Sequence, residues 1–126
     1  MSALQDLRVL VVENDEMSAA LLQMQLGQSG AVVVGPAASV ADSLRLLGDS
    51  EPQVALLDYR LANNETSEPV AAALSARGIP FVLATGMAPD HLPAVFRTGV
   101  MLTKPYLTAE LNAALERALQ AASVAS

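Results

Sequence analysis

Six polar residues follow the apolar runs of this 126-residue sequence, where predicted strands end. They are Glu13, Asn14 and Asp15 after the first run, Asp58 after the third, Thr85 after the fourth and Lys104 after the fifth. Oxygen ligands of this kind suit Mg²⁺, which uses one or two carboxylates and keeps several waters. A carboxylate beside such a cation is also a candidate nucleophile. The set therefore predicts metal-assisted group transfer to an aspartate.

Lys104 and Thr85 add two hydrogen-bond donors to this acidic set. Lys104 is the only lysine of the chain, and its ammonium can pair with a carboxylate at rest and with a phosphoryl oxygen during a reaction. Thr85 precedes a glycine, which predicts a small hydroxyl donor at a strand end. A phosphoryl group on Asp58 would therefore have two donors beside it.

Five short apolar runs predict the strands that position these residues. They span residues 8–12, 31–34, 54–57, 81–84 and 100–102, and each ends near a polar residue or a glycine. Helical spacing and capping residues predict helices over residues 16–26, after Ser39, from Pro69 to Gly78, over 89–96 and after Thr108. In the first helix, Met17 and Met24 are predicted to fill the core.

Strands that alternate with helices predict a parallel sheet, because each strand must reach the next through a helical crossover. The runs show no polar alternation, which is typical of strands covered on both faces. We therefore predict an α/β fold: a three-layer (βα)5 doubly wound parallel sheet. In such sheets ligands lie beyond the carboxyl ends of the strands.

Composition excludes several classes of function. The chain has no cysteine, so thiolate catalysis and iron–sulfur clusters are excluded. Thirteen acidic and seven scattered basic residues give a net charge of −6, which argues against direct nucleic-acid binding. No apolar stretch approaches the roughly 20 residues of a membrane span. Residues 1–10 lack the basic start and apolar run of a secretion signal, so we expect a cytoplasmic protein without a membrane partner.

The polar strand ends lie in motifs that resemble the response-regulator receiver domain of bacterial two-component signalling. The motifs are RVLVV followed by acids, ALLDYRL around Asp58, PFVLATG around Thr85 and LTKPY around Lys104. Four motifs in register are a specific signal, and the likeness covers about residues 7 to 119. It implies a flavodoxin-like fold with strand order 2-1-3-4-5, and a single receiver domain over residues 1–126 with a core of about 7–120.

The resemblance implies a phosphorelay switch. Asp58 would accept a phosphoryl group from a phosphohistidine of a histidine kinase or a phosphotransfer protein. Lys104 would hold a phosphoryl oxygen, and Thr85 would be drawn toward the same group. The protein would change its partner-binding surface and would be no enzyme beyond its own Mg²⁺-assisted phosphorylation and autodephosphorylation.

The resemblance also implies a ligand set for Mg²⁺. Its members are the side chains of Asp58 and Asn14, the backbone carbonyl of Arg60 and, indirectly, Glu13. Pro105 would follow a cis peptide bond.

Two positions depart from the usual family pattern. The second of two adjacent acids is Asn14 here, which predicts weaker Mg²⁺ binding and slower phosphorylation unless Asp15 reaches the metal. Met101 occupies the place of an aromatic switch residue, so the output is expected to differ. Met101 and Tyr106 are the candidate switch or interface positions, and Tyr106 is expected to pack.

The string PFVLATGMA partly resembles a receiver subclass with a Phe-Ala-Thr-Gly loop, which includes stand-alone receivers. Leu83 and Ala88 replace the two aromatic residues of that subclass. We expect no effector domain after the last helix, and therefore output through another protein or by passing the phosphate onward. A second copy of the chain is a further candidate partner.

Two other functions compete with the switch. A haloacid-dehalogenase type of phosphatase would need a second aspartate two residues after Asp58, as its acid and base, and Arg60 stands there. A pseudo-receiver would have the same fold and bind proteins independently of phosphorylation. Asn14 and Met101 favour this second alternative.

Overall fold

The computed structural model describes residues 4–125 of the chain. Five parallel strands form one sheet: β1 (Arg8–Val12), β2 (Val32–Ala37), β3 (Val54–Asp58), β4 (Phe81–Thr85) and β5 (Val100–Thr103). Their order across the sheet is β2-β1-β3-β4-β5, which confirms the predicted order. Four α-helices accompany them: α1 (Glu16–Gln28), α2 (Val40–Ser50), α3 (Glu68–Ala76) and α4 (Thr108–Ala125).

The sheet separates two hydrophobic clusters, as expected for strands without polar alternation. One cluster joins alternate strand residues such as Val9 and Val11 to α1 and α4, and the other joins Leu10 and Val12 to α2 and α3. Residues 54 to 57 are all buried. This layering confirms the predicted three-layer α/β fold and packs the central strands on both faces.

The prediction that Met17 and Met24 fill the core was wrong. The buried residues of α1 are Ala19, Leu22, Gln25 and Leu26, whereas Met17 and Met24 are 83% and 55% exposed. Both apolar rows fit a helical repeat, because α1 is apolar around most of its circumference. Packing against the sheet buries the row that contains Leu22 and Leu26.

The fourth crossover contains no α-helix. The helix predicted over residues 89–96 is replaced by two 3₁₀ turns, Pro89–His91 and Ala94–Thr98. Pro93 lies between them, and a proline disfavours helical backbone at the residue before it. The segment is anchored by Phe96, which is fully buried and makes edge contacts with the rings of Tyr59 and Phe81.

Strand β2 runs further than predicted, through Gly35 and Pro36 to Ala37, with an irregularity in its pairing to β1. Gly35 has a φ of +103°, a conformation that other residues rarely adopt. Pro36 is tolerated because β2 is an edge strand. The extension matters for the site, since the carbonyl of Ala37 accepts a hydrogen bond from the Glu13 N–H at 2.9 Å.

A search of the described helices for a membrane span found none that is long and apolar enough.

Candidate functional site

The carboxyl ends of β1, β3 and β5 bring three of the predicted residues together. Lys104 Nζ lies 3.1 Å from Asp58 Oδ1 and 3.7 Å from Glu13 Oε1. The three side chains come from strands that are adjacent or nearly so in the sheet, although they are far apart along the chain. They form an acidic cluster with one ammonium between two carboxylates.

Glu13 is the buried member of the cluster, with 6% of its surface exposed. Its Oε2 atom accepts a hydrogen bond from the Asp15 N–H at 3.1 Å. Burial, followed by the negative charge and hydrogen bonding of Asp58, raises the pKa of Glu13, while the Asp15 N–H and Lys104 act against that rise. The two carboxylates therefore repel each other, and a divalent cation would relieve this repulsion.

Asp15 does not add a third carboxylate to the cluster. Its Oδ2 atom accepts a hydrogen bond from the Ser18 N–H at 2.8 Å and so caps α1. The same backbone hydrogen bond lowers the pKa of Asp15. Asn14 is exposed between the two acids. Among residues 4–125, no three acidic, histidine or cysteine side chains group in a way that could hold a metal ion.

The Oδ1 atom of Asp58 accepts two hydrogen bonds. Oδ1 accepts from Lys104 Nζ at 3.1 Å and from the Tyr59 N–H at 2.9 Å. The Asp58 side chain is 19% exposed, so incoming groups can reach it. A carboxylate held in this way is oriented for use as a nucleophile.

Thr85 lies at the end of β4 with its side chain buried. Its Oγ1 atom accepts a hydrogen bond from the Met87 N–H at 3.1 Å, and its backbone carbonyl accepts one from the Lys104 N–H, also at 3.1 Å. The hydroxyl proton of Thr85 stays available for donation, because a hydroxyl accepts and donates at once. Thr85 thus connects the loop after β4 with the residue that carries the ammonium.

Arg60 belongs to a short hairpin that follows β3. Its backbone pairs with that of Thr66 in an antiparallel bridge, and its guanidinium lies 5.7 Å from the centre of the Tyr59 ring. The sequence patterns predict no helix or strand between residues 57 and 69. Glu65, which closes the hairpin onto α2, was missed, because its partner Val40 is 25 residues away and no local pattern marks the pair.

Residues after β5 close the other side of the site. The Lys104–Pro105 peptide bond is cis. Tyr106 packs against the cluster that contains α1 and α4, whereas Met101 packs against the cluster on the opposite face of the sheet. Burial, with smaller effects from the charges of Glu13 and Asp58, raises the pKa of Tyr106 to about 12.

A cavity of about 370 Å³ lies between α1 and the segment after β5. Its lining residues are Glu13, Ser18, Leu21, Leu22, Gln25, Lys104, Pro105 and Tyr106. The cavity thus joins the acidic cluster to α1. On the outer surface of α1, Met17, Leu21 and Met24 form an exposed apolar row, which we call the α1 seam.

The donor set fits a bound Mg²⁺. The carboxylates of Glu13 and Asp58 lie 3.7 and 3.1 Å from the same ammonium, and oxygens of Asn14 and Arg60 are close to them in sequence. This set matches a cation that binds protein through one or two carboxylates and keeps waters. The negative charge of Asp58 is among the causes that raise the pKa of Glu13, and a cation between the two carboxylates would offset it. The arrangement can neutralise charge around a phosphoryl group on Asp58.

Known structures share this fold. SdrG from Sphingomonas melonis Fr1 is 36% identical, with 98% of this chain and 99% of that chain covered and a TM-score of 0.75. Its BeF3-activated conformation, described as from Pseudomonas melonis Fr1, is 38% identical, covers 94% of this chain and 99% of that one, and has a TM-score of 0.75.

Two further structures are more distant in sequence. The signal receiver domain of a modulated diguanylate cyclase from Desulfovibrio desulfuricans G20 is 26% identical, covers 96% of this chain and 100% of that one, and has a TM-score of 0.83. The response regulator PhyR from Brucella abortus is 26% identical, covers 94% of this chain and 51% of that one, and has a TM-score of 0.78.

Neither a scan against protein-family models nor a search of curated proteins found a match. The identity with SdrG nevertheless extends over nearly the full length of both chains. The sheet order and the acidic strand ends agree with it. The chain therefore belongs to the family of response-regulator receiver domains.

Proposed function

We propose that this protein is a phosphoaccepting switch in which Asp58 receives a phosphoryl group from a phosphohistidine of a kinase or a phosphotransfer protein. The observation that carries the proposal is the 3.1 Å contact between Lys104 Nζ and Asp58 Oδ1, beside the buried carboxylate of Glu13. A carboxylate, an ammonium and a second carboxylate at one sheet edge match the needs of phosphoryl transfer.

In the transfer, a carboxylate oxygen of Asp58 forms a bond to phosphorus while the bond between phosphorus and the donor's imidazole nitrogen breaks. The electron pair of that broken bond returns to the imidazole. Lys104 keeps its proton and shifts its hydrogen bond from the carboxylate to a phosphoryl oxygen. The Thr85 hydroxyl donates to another phosphoryl oxygen while it still accepts from the Met87 N–H.

Mg²⁺ would be held by Asp58, Asn14 and the Arg60 carbonyl, with Glu13 acting indirectly, and it would neutralise charge on the phosphoryl oxygens. Phosphorylation adds a charge of about −1.5 to −2 where the resting cluster already holds two carboxylates. The Thr85 carbonyl ties that change to the backbone of Lys104, and hence to the surface around β5. We propose that phosphorylation changes which partner binds to this surface.

The α1 seam supports docking of a helix from the phosphodonor. The exposed face of α1 from Met17 to Gln28 has no charged residue, which is unusual for a surface helix in a chain of net charge −6. The cavity beside Leu21 continues to Glu13 and Lys104, so a helix on the seam would lie next to Asp58. A phosphohistidine donor of this kind would place the protein in the cytoplasm.

A pseudo-receiver is the second candidate, and Asp15 favours it. Because Asp15 caps α1, the cluster has two carboxylates and an amide rather than three acids. This weaker cation site is compatible with binding of a partner without phosphate.

Incubation of the protein with Mg²⁺ and acetyl phosphate, followed by intact-mass measurement, distinguishes the two. We expect one acid-stable, base-labile phosphate on the wild type and none on Asp58→Asn. Absence of phosphate on a folded wild type would contradict the switch and favour the pseudo-receiver. Turnover of a phosphoester would instead favour a phosphatase.

A further inference from the structure

The segment after β3 is a small hairpin rather than a loose loop. The Ser67 N–H donates to the Tyr59 carbonyl and the Leu61 N–H donates to the Glu65 carbonyl, both at 2.8 Å. The tip contains a 3₁₀ turn at Ala62–Asn64, in which Asn63 has a φ of 62°. Asparagine tolerates this left-handed conformation, so the hairpin has a defined shape.

Glu65 fastens this hairpin to the start of α2. Its Oε1 atom accepts a hydrogen bond from the Val40 N–H at 3.0 Å, and the nearby Ala62 N–H donates to the Ala38 carbonyl, also at 3.0 Å. Val40 is the first residue of α2, where N–H groups lack helical partners and the helix dipole favours a carboxylate. The contact therefore joins two segments that are 25 residues apart.

The backbone carbonyl of Glu65 binds the peptide group that contains the Arg60 carbonyl. That carbonyl and the Leu61 N–H belong to one planar trans peptide unit, in which they point in opposite directions. Because the Leu61 N–H is bonded to the Glu65 carbonyl, the direction of the Arg60 carbonyl is set as well.

We infer that Glu65 is a positioning residue: by tying the hairpin to α2, its carboxylate holds the Arg60–Leu61 peptide group in the orientation that the Mg²⁺ site requires. The inference rests on the proposed function for the identity of the cation. It assigns to α2 a part in the metal site, although no residue of α2 belongs to the implied ligand set.

Ser39 provides a matched control, because it caps the same helix independently. Its Oγ atom accepts a hydrogen bond from the Asp42 N–H at 3.2 Å. Neither residue of this bond belongs to the hairpin. Loss of the Ser39 hydroxyl weakens α2 by the usual loss of a cap. If Glu65 acted only as a helix cap, the two substitutions would have the same effect on the metal site.

The test is a titration of the full chain with Mg²⁺, followed by NMR of the backbone amides, for the wild type, Glu65→Ala, Glu65→Gln and Ser39→Ala. We expect the Kd for Mg²⁺ to rise about tenfold in Glu65→Ala, the scale at which residues outside the ligand set act on metal sites. Glu65→Gln should stay near the wild-type Kd, because its amide oxygen still accepts from the Val40 N–H. Ser39→Ala should keep the wild-type Kd.

Exchange of the Leu61 amide proton in the metal-free protein is the second readout. We expect faster exchange in Glu65→Ala and unchanged exchange in Ser39→Ala. An unchanged Kd in Glu65→Ala, or an equal rise in Ser39→Ala, would overturn the inference. If the wild type binds no Mg²⁺, the metal of the proposed function fails, and the Leu61 exchange decides alone whether Glu65 holds this peptide group: faster exchange supports it, and unchanged exchange overturns it.

Discussion

The ammonium of Lys104 donates a 3.1 Å hydrogen bond to the carboxylate of Asp58, across 46 residues of sequence. The same ammonium is 3.7 Å from the Glu13 carboxylate, so one cation compensates two acids. Its removal should therefore affect stability as well as phosphorylation.

Lys104→Met should lower the free energy of unfolding by about 1–2 kcal/mol near neutral pH. This is below the usual cost of breaking a fully buried pair, because solvent screens a lysine whose side chain is 33% exposed. The loss should shrink on acidification, since the raised pKa of Glu13 lets the folded state take up a proton before the unfolded state does. Urea denaturation near neutral and at mildly acidic pH measures both values. A loss that stays constant with pH would contradict this account of the cluster.

Asn14→Asp should tighten Mg²⁺ binding, because it would add a carboxylate at a position that the proposed function assigns to the metal. We expect the Kd to fall about tenfold, which corresponds to about 1.4 kcal/mol. Phosphorylation by acetyl phosphate should become faster. Isothermal titration with Mg²⁺ gives the affinity, and Asp15→Asn is the control, since Asp15 is engaged at the start of α1. An Mg²⁺ affinity that does not respond to Asn14→Asp would show that residue 14 is not a ligand.

Substitution of the α1 seam should separate phosphotransfer from folding. The double variant Met17→Gln/Met24→Gln should change stability by less than about 0.5 kcal/mol, because both side chains are exposed. Phosphorylation by acetyl phosphate should be unchanged, whereas transfer from a histidine kinase that phosphorylates the wild type should slow at least tenfold.

Leu44→Gln is the matched control for the seam, since Leu44 is an exposed apolar residue of α2. It should leave transfer from the kinase unchanged. Equal rates for the seam variant and the wild type would remove α1 from the docking surface.

Because of Tyr106, the free energy of unfolding should decrease at alkaline pH. Its pKa is about 12 in the folded protein, against about 10 for an unperturbed tyrosine. Between these values the unfolded state has lost the proton that the folded state keeps, so unfolding becomes more favourable as the pH rises. Tyr106→Phe should show a flatter dependence of stability on pH. Denaturation of the wild type and of Tyr106→Phe across this pH interval measures the effect, and tyrosinate absorbance follows the titration. The same pH dependence of stability in both proteins would contradict the raised pKa of Tyr106.

Much of this protein could be predicted from local patterns. Unbroken apolar runs such as residues 54–57 marked strands buried on both faces, and the polar residue after each run marked one edge of the sheet. Because parallel strands present their carboxyl ends at a common edge, residues such as Asp58 and Lys104 had to be neighbours once the strand order was known. The sequence by itself determined the layers, the sheet edge and a set of candidate residues that includes Glu13, Asp58 and Lys104.

Tertiary structure decided the features that depend on competition between partners. Two apolar rows of α1 had the same period, and only packing against the sheet buried Leu22 rather than Met17. Asp15 could have been a metal ligand or a helix cap, and in the structure its carboxylate accepts a hydrogen bond from the Ser18 N–H at the start of α1. The contact between Glu65 and Val40 could not be predicted from the sequence, because the two residues are 25 positions apart and a single carboxylate is part of no periodic pattern. Periodicity and local spacing do not distinguish between two partners that suit one side chain equally well. Which partner the side chain contacts depends on how the helices and strands pack together.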